Sequence, residues 1–418
     1  MKRVFMVFLI LCCLTALVFG GGWGQRAQTG TLSVLFYSPE LQSQYNDMAA
    51  AYRAETGVNL DITVIQTDYR SVLMSRINAG DTPDIFMSSA YADNVVYQDY
   101  SYDLTNEDFM RNISPSALEG VTLNGRITGY PFLVQSHSFI YNKDVFSRLG
   151  ITTLPRTLTE LEATAQRIQA AGVQPFATGF AEWWVLPQTA WKAIAPAITA
   201  NYGGFTNFVN RLNAGTLRFS DMPEMNNLFD LLDLIRRFGG PRPMESDFND
   251  QVSMIATGRA AITHQGNWAE GSIMDINPNA NIGYIVGPAG NNAAGAGIMF
   301  DSNQTIRINK DSRNLRAALD WLRWLTTSDY GRNWIPGQIG QLSPITGAAA
   351  PRSQIAEETM AMIGQGVPAY PWFYQMFPSG SEEEFGLILQ GYCAGTTNRA
   401  QTLAALDAAY TRLYRASQ

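Results

Sequence analysis

Two hydrophobic periods alternate along the first quarter of the chain. "TLSVLFYSPE" reads as a strand that breaks at Ser38-Pro39. In "LQSQYNDMAAAYRAETG" the apolar positions Leu41, Tyr45, Met48, Ala49 and Tyr52 recur at helical spacing, and Gly57 supplies a stop. "VNLDITVIQT" predicts a second strand, "YRSVLMSRINAG" a second helix closed at Gly80, and "DTPDIFMSS" a short third strand. Strand, helix, strand, helix, strand is the pattern of an open parallel sheet with helices on both faces.

Farther on, "LTELEATAQRIQAAG" and "MNNLFDLLDLIRRFGG" predict amphipathic helices stopped by glycine, with the aromatic-rich "FAEWWVLPQTAW" between them. "KDSRNLRAALDWLRWLTTSD" puts Leu315, Leu319, Leu322 and Leu325 on one helical face. "TGRAAITHQGNWAE" departs from both periods: the apolar-leaning run Ala260 to Thr263 enters a polar turn that delivers Trp268 among hydrogen-bonding groups. No repeat, low-complexity tract or linker interrupts the pattern. A chain of 418 residues exceeds one ordinary core, so two lobes connected by strands are expected.

In open α/β sheets ligands bind outside the carboxyl ends of the strands. Those ends are Tyr37-Ser38, the turn after Thr67, and Met87-Ser88-Ser89. None is glycine-rich and the chain has no "GK" dipeptide, which argues against nucleotides. Small polar side chains suit a neutral or hydroxyl-rich ligand better.

Composition narrows the picture. With 46% hydrophobic and 16% charged residues the chain fits a packed globule, neither disordered nor polytopic in a membrane. The net charge of −7 lacks the basic face a nucleic-acid partner requires. Met1-Lys2-Arg3, the apolar run 4–19 and Gly20-Gly21-Gly22 read as a secretory signal over residues 1–22. That run is short of the ~20 residues of a membrane span. Removing Lys2 and Arg3 leaves the mature chain near −9. Cys12 and Cys13 fall inside the signal and follow Leu11 and Cys12, not a small residue, which argues against a lipid anchor. Cys393 then stands alone, so the fold rests on its core without an internal disulfide. The expected location is periplasmic or extracytoplasmic.

Signatures of catalysis are sparse. His137 and His264 are the only histidines, and neither G-x-S-x-G nor H-E-x-x-H occurs. In "DINPNANIG", Asp275, Asn277, Asn279 and Asn281 alternate as a calcium loop begins, but Ala280 and Val286 occupy the positions that need Gly and Glu. No spacing singles out a carboxylate pair for glycoside cleavage. Neither metal nor cofactor is expected.

The order of the pieces resembles the carbohydrate-binding, maltose-binding-protein-like family of extracellular solute-binding proteins of ABC-type importers. The resemblance rests on "YRAETGVNL", "GDTPDIF", "GYPFLVQSHSFIYNKDVF", "GRAAITHQGNWA" and "NKDSRNLRAALDWLRWLTTSDYGRNW", in the family's order over residues 31–345. It implies an α/β, two-lobed periplasmic-binding-protein fold (type II-like), each lobe a mostly parallel sheet flanked by helices, with the cleft between them. Crossings are implied near Leu133–Ser138, Met299–Asn303 and Gly340–Pro344. Lobe one would hold residues 31–135 plus 303–342, and lobe two 136–302 plus 343–418.

The resemblance also implies a site. Trp268 would cover the C–H face of a pyranose, with Asn267 beside it for the hydroxyls. Ser38, Glu40 and Ser88 follow strand ends, and Gln135, Asp301, Asn303 and Gln341 lie on the crossings. Glu182 and Trp184 would line the far lobe, with at most one of Trp183 and Trp184 facing the cleft. His137 is expected to be structural; the "YPWFYQMF" aromatics at 370–377 could close the cleft or pack in the core, with the core favoured. The implied function is a non-enzymatic, monomeric receptor that closes on a sugar or oligosaccharide and delivers it to a membrane permease. An exported carbohydrate-cleaving enzyme and a sensor docking on a receptor kinase are the rival readings.

Overall fold

The computed structural model describes residues 30–65 and 68–417. The signal expected at 1–22, with Cys12 and Cys13, and position Thr67 lie outside the described residues. The first alternating run forms as the pattern predicts, with strands Thr31–Phe36, Asn59–Val64 and Ile85–Ser89 and helices Gln42–Thr56 and Tyr69–Asn78. Tyr45, Met48 and Tyr52 form the buried stripe of the first helix. Gly57 ends that helix at φ 78°, the left-handed cap that favours glycine.

The first sheet runs in the order Asn59–Val64, Thr31–Phe36, Ile85–Ser89, Gln304–Ile308, Tyr130–Pro131. Its first three strands are parallel; the last two are antiparallel to their neighbours. Helix Leu315–Thr327 packs Trp321, Leu322 and Leu325 into the core beneath, with Tyr45, Met48 and Trp334. The second sheet runs Ala369–Tyr370, Ile298–Asp301, Gln135–Asn142, Ala260–Gly266, Gln174–Ala177, and Ile282–Ile285 also pairs with Gln135–Asn142. Helices Leu158–Ala170, Met225–Phe238 and Ser381–Cys393 contribute to its core, which includes Leu161, Leu232 and Phe385.

Both sheets are therefore mixed, where mostly parallel ones were expected. The strands that pass between lobes explain the difference. Gln135–Asn142 enters the second sheet from the first lobe and runs antiparallel to Ala260–Gly266, Ile282–Ile285 and Ile298–Asp301. On the return, Ile298–Asp301 leads through Ser302 and Asn303 into Gln304–Ile308.

Leu342 bridges Val134, and Ile345 bridges Ile113. Ile345 and Ala348 still pack in the first core, whereas Ile355 belongs to the second. The stretch between these positions, "TGAAAPRS", carries no hydrophobic period.

Candidate functional site

A cavity of about 280 Å³ opens between the two cores, near the lower end of the ~300–1,000 Å³ of small-molecule clefts. From the first lobe, Tyr37, Ser38 and Glu40 line it after the first strand, Arg70 from the second helix, Ser88 from the third strand, and Asp93 from the short helix Ala92–Tyr97 that follows. Gln135, Asn303 and Gln304 line it from the crossings, and Trp183, Trp184, Gln188 and Trp268 from the second lobe. The stretch 374–383, at the far end of the chain, completes the wall with Tyr374, Gln375, Ser379 and Glu382.

Backbone strain gathers here. Of the four non-glycine residues with left-handed φ among the described residues, Ser38 (71°) and Asp68 (59°) line the cavity and Tyr91 (54°) lies beside it; the fourth is Asn124. Each such residue costs about 1–3 kcal/mol and persists only where its surroundings enforce it. Tyr37, which precedes Ser38, is held by its hydroxyl to Ser88 O at 3.0 Å and by its own carbonyl, which accepts from Tyr45 Oη at 3.1 Å.

Trp268 is both wall and core. It is 9% exposed, stacks on His137 at 5.6 Å with planes 10° apart, and lies 6.1 Å from Trp372. Its indole Nε1 donates to Gln265 Oε1 at 2.9 Å. Gln265 in turn donates to Gln251 at 2.7 Å, and Gln251 to Thr263 at 3.0 Å. Gly266 leaves room for the ring, since a Cβ there would meet it at 2.0 Å. This buried amide chain sets the plane that the indole offers the cleft. His137 supports the ring from behind.

Of the residues singled out from the sequence, Ser38, Glu40, Ser88, Gln135, Trp184, Asn303 and Trp268 line the cavity. Asn267 does not. It is 2% exposed, its Oδ1 accepts from Ser136 N at 3.0 Å and its own N–H donates to Ser136 O at 3.0 Å, so it clamps the turn to the central strand. Asp301 also turns away: its carboxylate accepts from Tyr91 Oη and from Ser302 N, and burial pushes it up to about 6. Gln341 is buried off the cavity, beside the bridge between Leu342 and Val134. Glu182 stands outside the wall.

Trp183 and Trp184 both line the cavity, where one at most was expected. They sit on a turn that leads into helix Val185–Lys192, so the alternation of a strand does not apply. Trp184 rests on Phe248 at 5.8 Å. The "YPWFYQMF" segment does pack in the second core through Trp372, Phe373, Tyr374 and Phe377, yet Tyr374, Gln375 and Phe377 also reach the cavity. A proline-serine-glycine turn between aromatics and a helix start was the available signal for this segment. Tyr37 stands at a strand end expected to face a ligand, whereas Arg70, Asp93 and Glu382 carried no signal in the sequence.

Charge is uneven. Arg70 pairs with Asp93 at 3.1 Å, and Ser379 of the second lobe bonds both. Beneath the floor, Arg307 is fully buried and bonds Ser88 Oγ at 2.7 Å; loss of hydration pushes it down to about 10. Burial pushes Glu382 up to about 7, with Asp93 adding to the shift, and raises Glu40 above its ordinary value.

Residues 38–332, more than half of the chain, match the family model of the bacterial extracellular solute-binding protein. The chain belongs to that family. It is 22% identical to the melibiose/raffinose/stachyose-binding protein MelE of Bacillus subtilis (strain 168), over 100% of this chain and 98% of that one. Among solved structures, RafE in complex with raffinose aligns with a TM-score of 0.78 at 20% identity, covering 92% of this chain and all of that one. A sugar transporter of Bacillus licheniformis in complex with stachyose gives 0.79 at 20% identity, with the same coverage. The two-lobed fold of this binding protein is thus shared with proteins that differ from it at most positions.

Proposed function

We propose that this binding protein captures a sugar or oligosaccharide by hinge closure and delivers it to the permease of an ABC transporter. One observation carries the reading. Six residues of the wall hold a buried polar atom with no hydrogen-bond partner among the described residues: Trp184 Nε1, Gln188 Oε1, Asn303 Oδ1, Gln304 Oε1, Tyr374 Oη and Gln375 Oε1. Leaving such an atom unpaired costs about 1–3 kcal/mol, so a ligand rich in hydroxyls stabilises the closed form. The aromatic planes of Trp184 and Trp268 suit the C–H face of a sugar ring.

Hinge closure is supported by the three chain passages and by Ser379, which reaches from the second lobe to Arg70 and Asp93 of the first. The proposed division is 31–135 with 303–348, and 136–302 with 349–418. The proposed binding set is Ser38, Glu40, Ser88, Gln135, Trp184, Asn303 and Trp268. The names of its relatives, with melibiose, raffinose and stachyose, favour a sugar. We place the protein outside the cytoplasm after removal of an N-terminal signal, acting as a monomer and without catalysis.

Thermal unfolding against melibiose, raffinose, stachyose and maltotriose, followed by calorimetry, tests this. A ligand at 100 times its dissociation constant adds about 2.7 kcal/mol. Stabilisation with the sugar recovered intact is expected. Cleavage of the sugar would replace the receptor with an enzyme, and stabilisation by peptides but by no sugar would end the reading.

A further inference from the structure

The cleft holds more negative charge than its basic groups neutralise. Arg70 is engaged by Asp93. Arg307 spends its donors on Ser88, on Thr128 O at 3.0 Å and on Asn94 Oδ1 at 2.8 Å, none of them a carboxylate. Glu40 and Glu382 line the same cavity from opposite lobes, and among the described residues neither forms a salt bridge. Glu382 opens a helix whose next residues are Glu383 and Glu384. A helix N-terminus favours acidic side chains in general, and Glu384 follows that rule at the surface, paired with Arg412. Glu382 differs: it is half-buried and lines the cavity.

Closure brings Glu382 of the second lobe within reach of the charge of Asp93 on the first, across a cavity that Glu40 also lines. Like charges brought together away from water resist closure unless a cation or a proton accompanies it. The unpaired wall atoms point the same way, because Gln188, Asn303, Gln304 and Gln375 each present a carbonyl oxygen, which accepts. Tyr374, 2% exposed, adds an unpartnered hydroxyl near enough to Glu382 to feel its charge, and Tyr37 feels it from the other lobe. An ammonium donates three N–H groups and accepts none, and it is attracted to aromatic faces.

We propose that the ligand is an amino sugar with a free, protonated amine, seated against the Glu382 carboxylate and the Tyr374 hydroxyl, with Glu40 on the facing lobe. The proposal rests on the sugar-binding reading. It makes Glu382 the residue that selects a cationic sugar over its neutral counterpart.

Calorimetry on the mature chain with matched sugars tests it: glucosamine, N-acetylglucosamine and glucose; galactosamine and galactose; and the β-1,4 disaccharides of glucosamine, N-acetylglucosamine and glucose. In at least one set the free amine should bind ~10- to 150-fold more tightly than its neutral partners, the range of a hydrogen bond to a charged group. Glu382→Gln keeps the side-chain shape and should collapse that ratio. Neutral sugars that bind as tightly as their amines would overturn the amine while leaving the sugar reading intact. Binding by no sugar here or in the raffinose-type panel removes both. A ratio unchanged in Glu382→Gln would take the role from Glu382, and the wild-type comparison decides the ligand class even where the variant folds poorly.

Discussion

Replacing Lys192 by methionine should stabilise the protein. Lys192 ends helix Val185–Lys192, is 1% exposed, and its Nζ has no hydrogen-bond partner among the described residues. The amine lies 5.1 Å from the Phe139 ring, fills the space a Cβ on Gly287 would take, and sits close enough to His137 and His264 to lower their basicity further. A cation over a phenyl ring gains about 0.5–2 kcal/mol, against several kcal/mol for taking an ammonium out of water. Desolvation wins, and Lys192 is pushed down to about 7 from an ordinary 10.5. At ~1.4 kcal/mol per pH unit the depression corresponds to about 5 kcal/mol. Relaxation reduces this, so Lys192→Met should gain about 2–4 kcal/mol at pH 7. Methionine has a similar unbranched reach and packs against aromatic rings.

The sign of the pH dependence follows. Between pH 7 and 10.5 the unfolded chain holds a proton on Lys192 that the folded chain has released. Stability from this group therefore rises with pH across that window and is lost as pH falls through it. Urea unfolding at pH 7.5 and 9.5 should show wild type gaining about 2–3 kcal/mol relative to Lys192→Met. A variant less stable at pH 7, with a pH response equal to wild type, would mean that the ammonium is charged and partnered in the fold.

Trp268→Ala should lower two quantities at once: stability by about 3–5 kcal/mol, because the ring packs on His137 and Trp372, and affinity by ~30- to 1000-fold. Normal urea midpoints in that variant would detach the ring from the core. Gly266→Ala drives a methyl into the same indole and should cost about 1–3 kcal/mol by overpacking, together with ligand affinity; unchanged calorimetry would misplace the ring. Asn267→Ala should lose about 1–3 kcal/mol of stability with a smaller loss of affinity than Trp268→Ala. The reverse order would put Asn267 on the ligand. Ser379→Ala removes a contact between lobes, so small-angle scattering should show less compaction on ligand binding while the melting temperature hardly moves.

Local order in this protein is written in local pattern. The first strands and helices form where apolar spacing predicts them, because a helix stripe such as Tyr45, Met48 and Tyr52 or a glycine stop such as Gly57 acts within a few residues. Trp268 also stood out, since a large aromatic on a polar turn has few local uses. Its neighbour shows the limit. Asn267 and Trp268 are adjacent, yet only the turn's path across the central strand sends the amide inward to Ser136 and the ring to the cleft.

What joins residues far apart belongs to the tertiary structure. Three consecutive glutamates open one helix, and nothing in "SGSEEEFG" separates Glu382 from the two that follow. Lobe packing does, by setting Glu382 in the wall of the cavity that Asp93 also lines and leaving Glu384 to pair at the surface with Arg412. The stretch 374–383 meets Tyr37, Arg70 and Trp268 only because two cores, assembled from interleaved segments, bring their edges together. Periodicity reports which face of an element is buried. Burial depth and local charge depend on what stands opposite, and only the folded chain decides that.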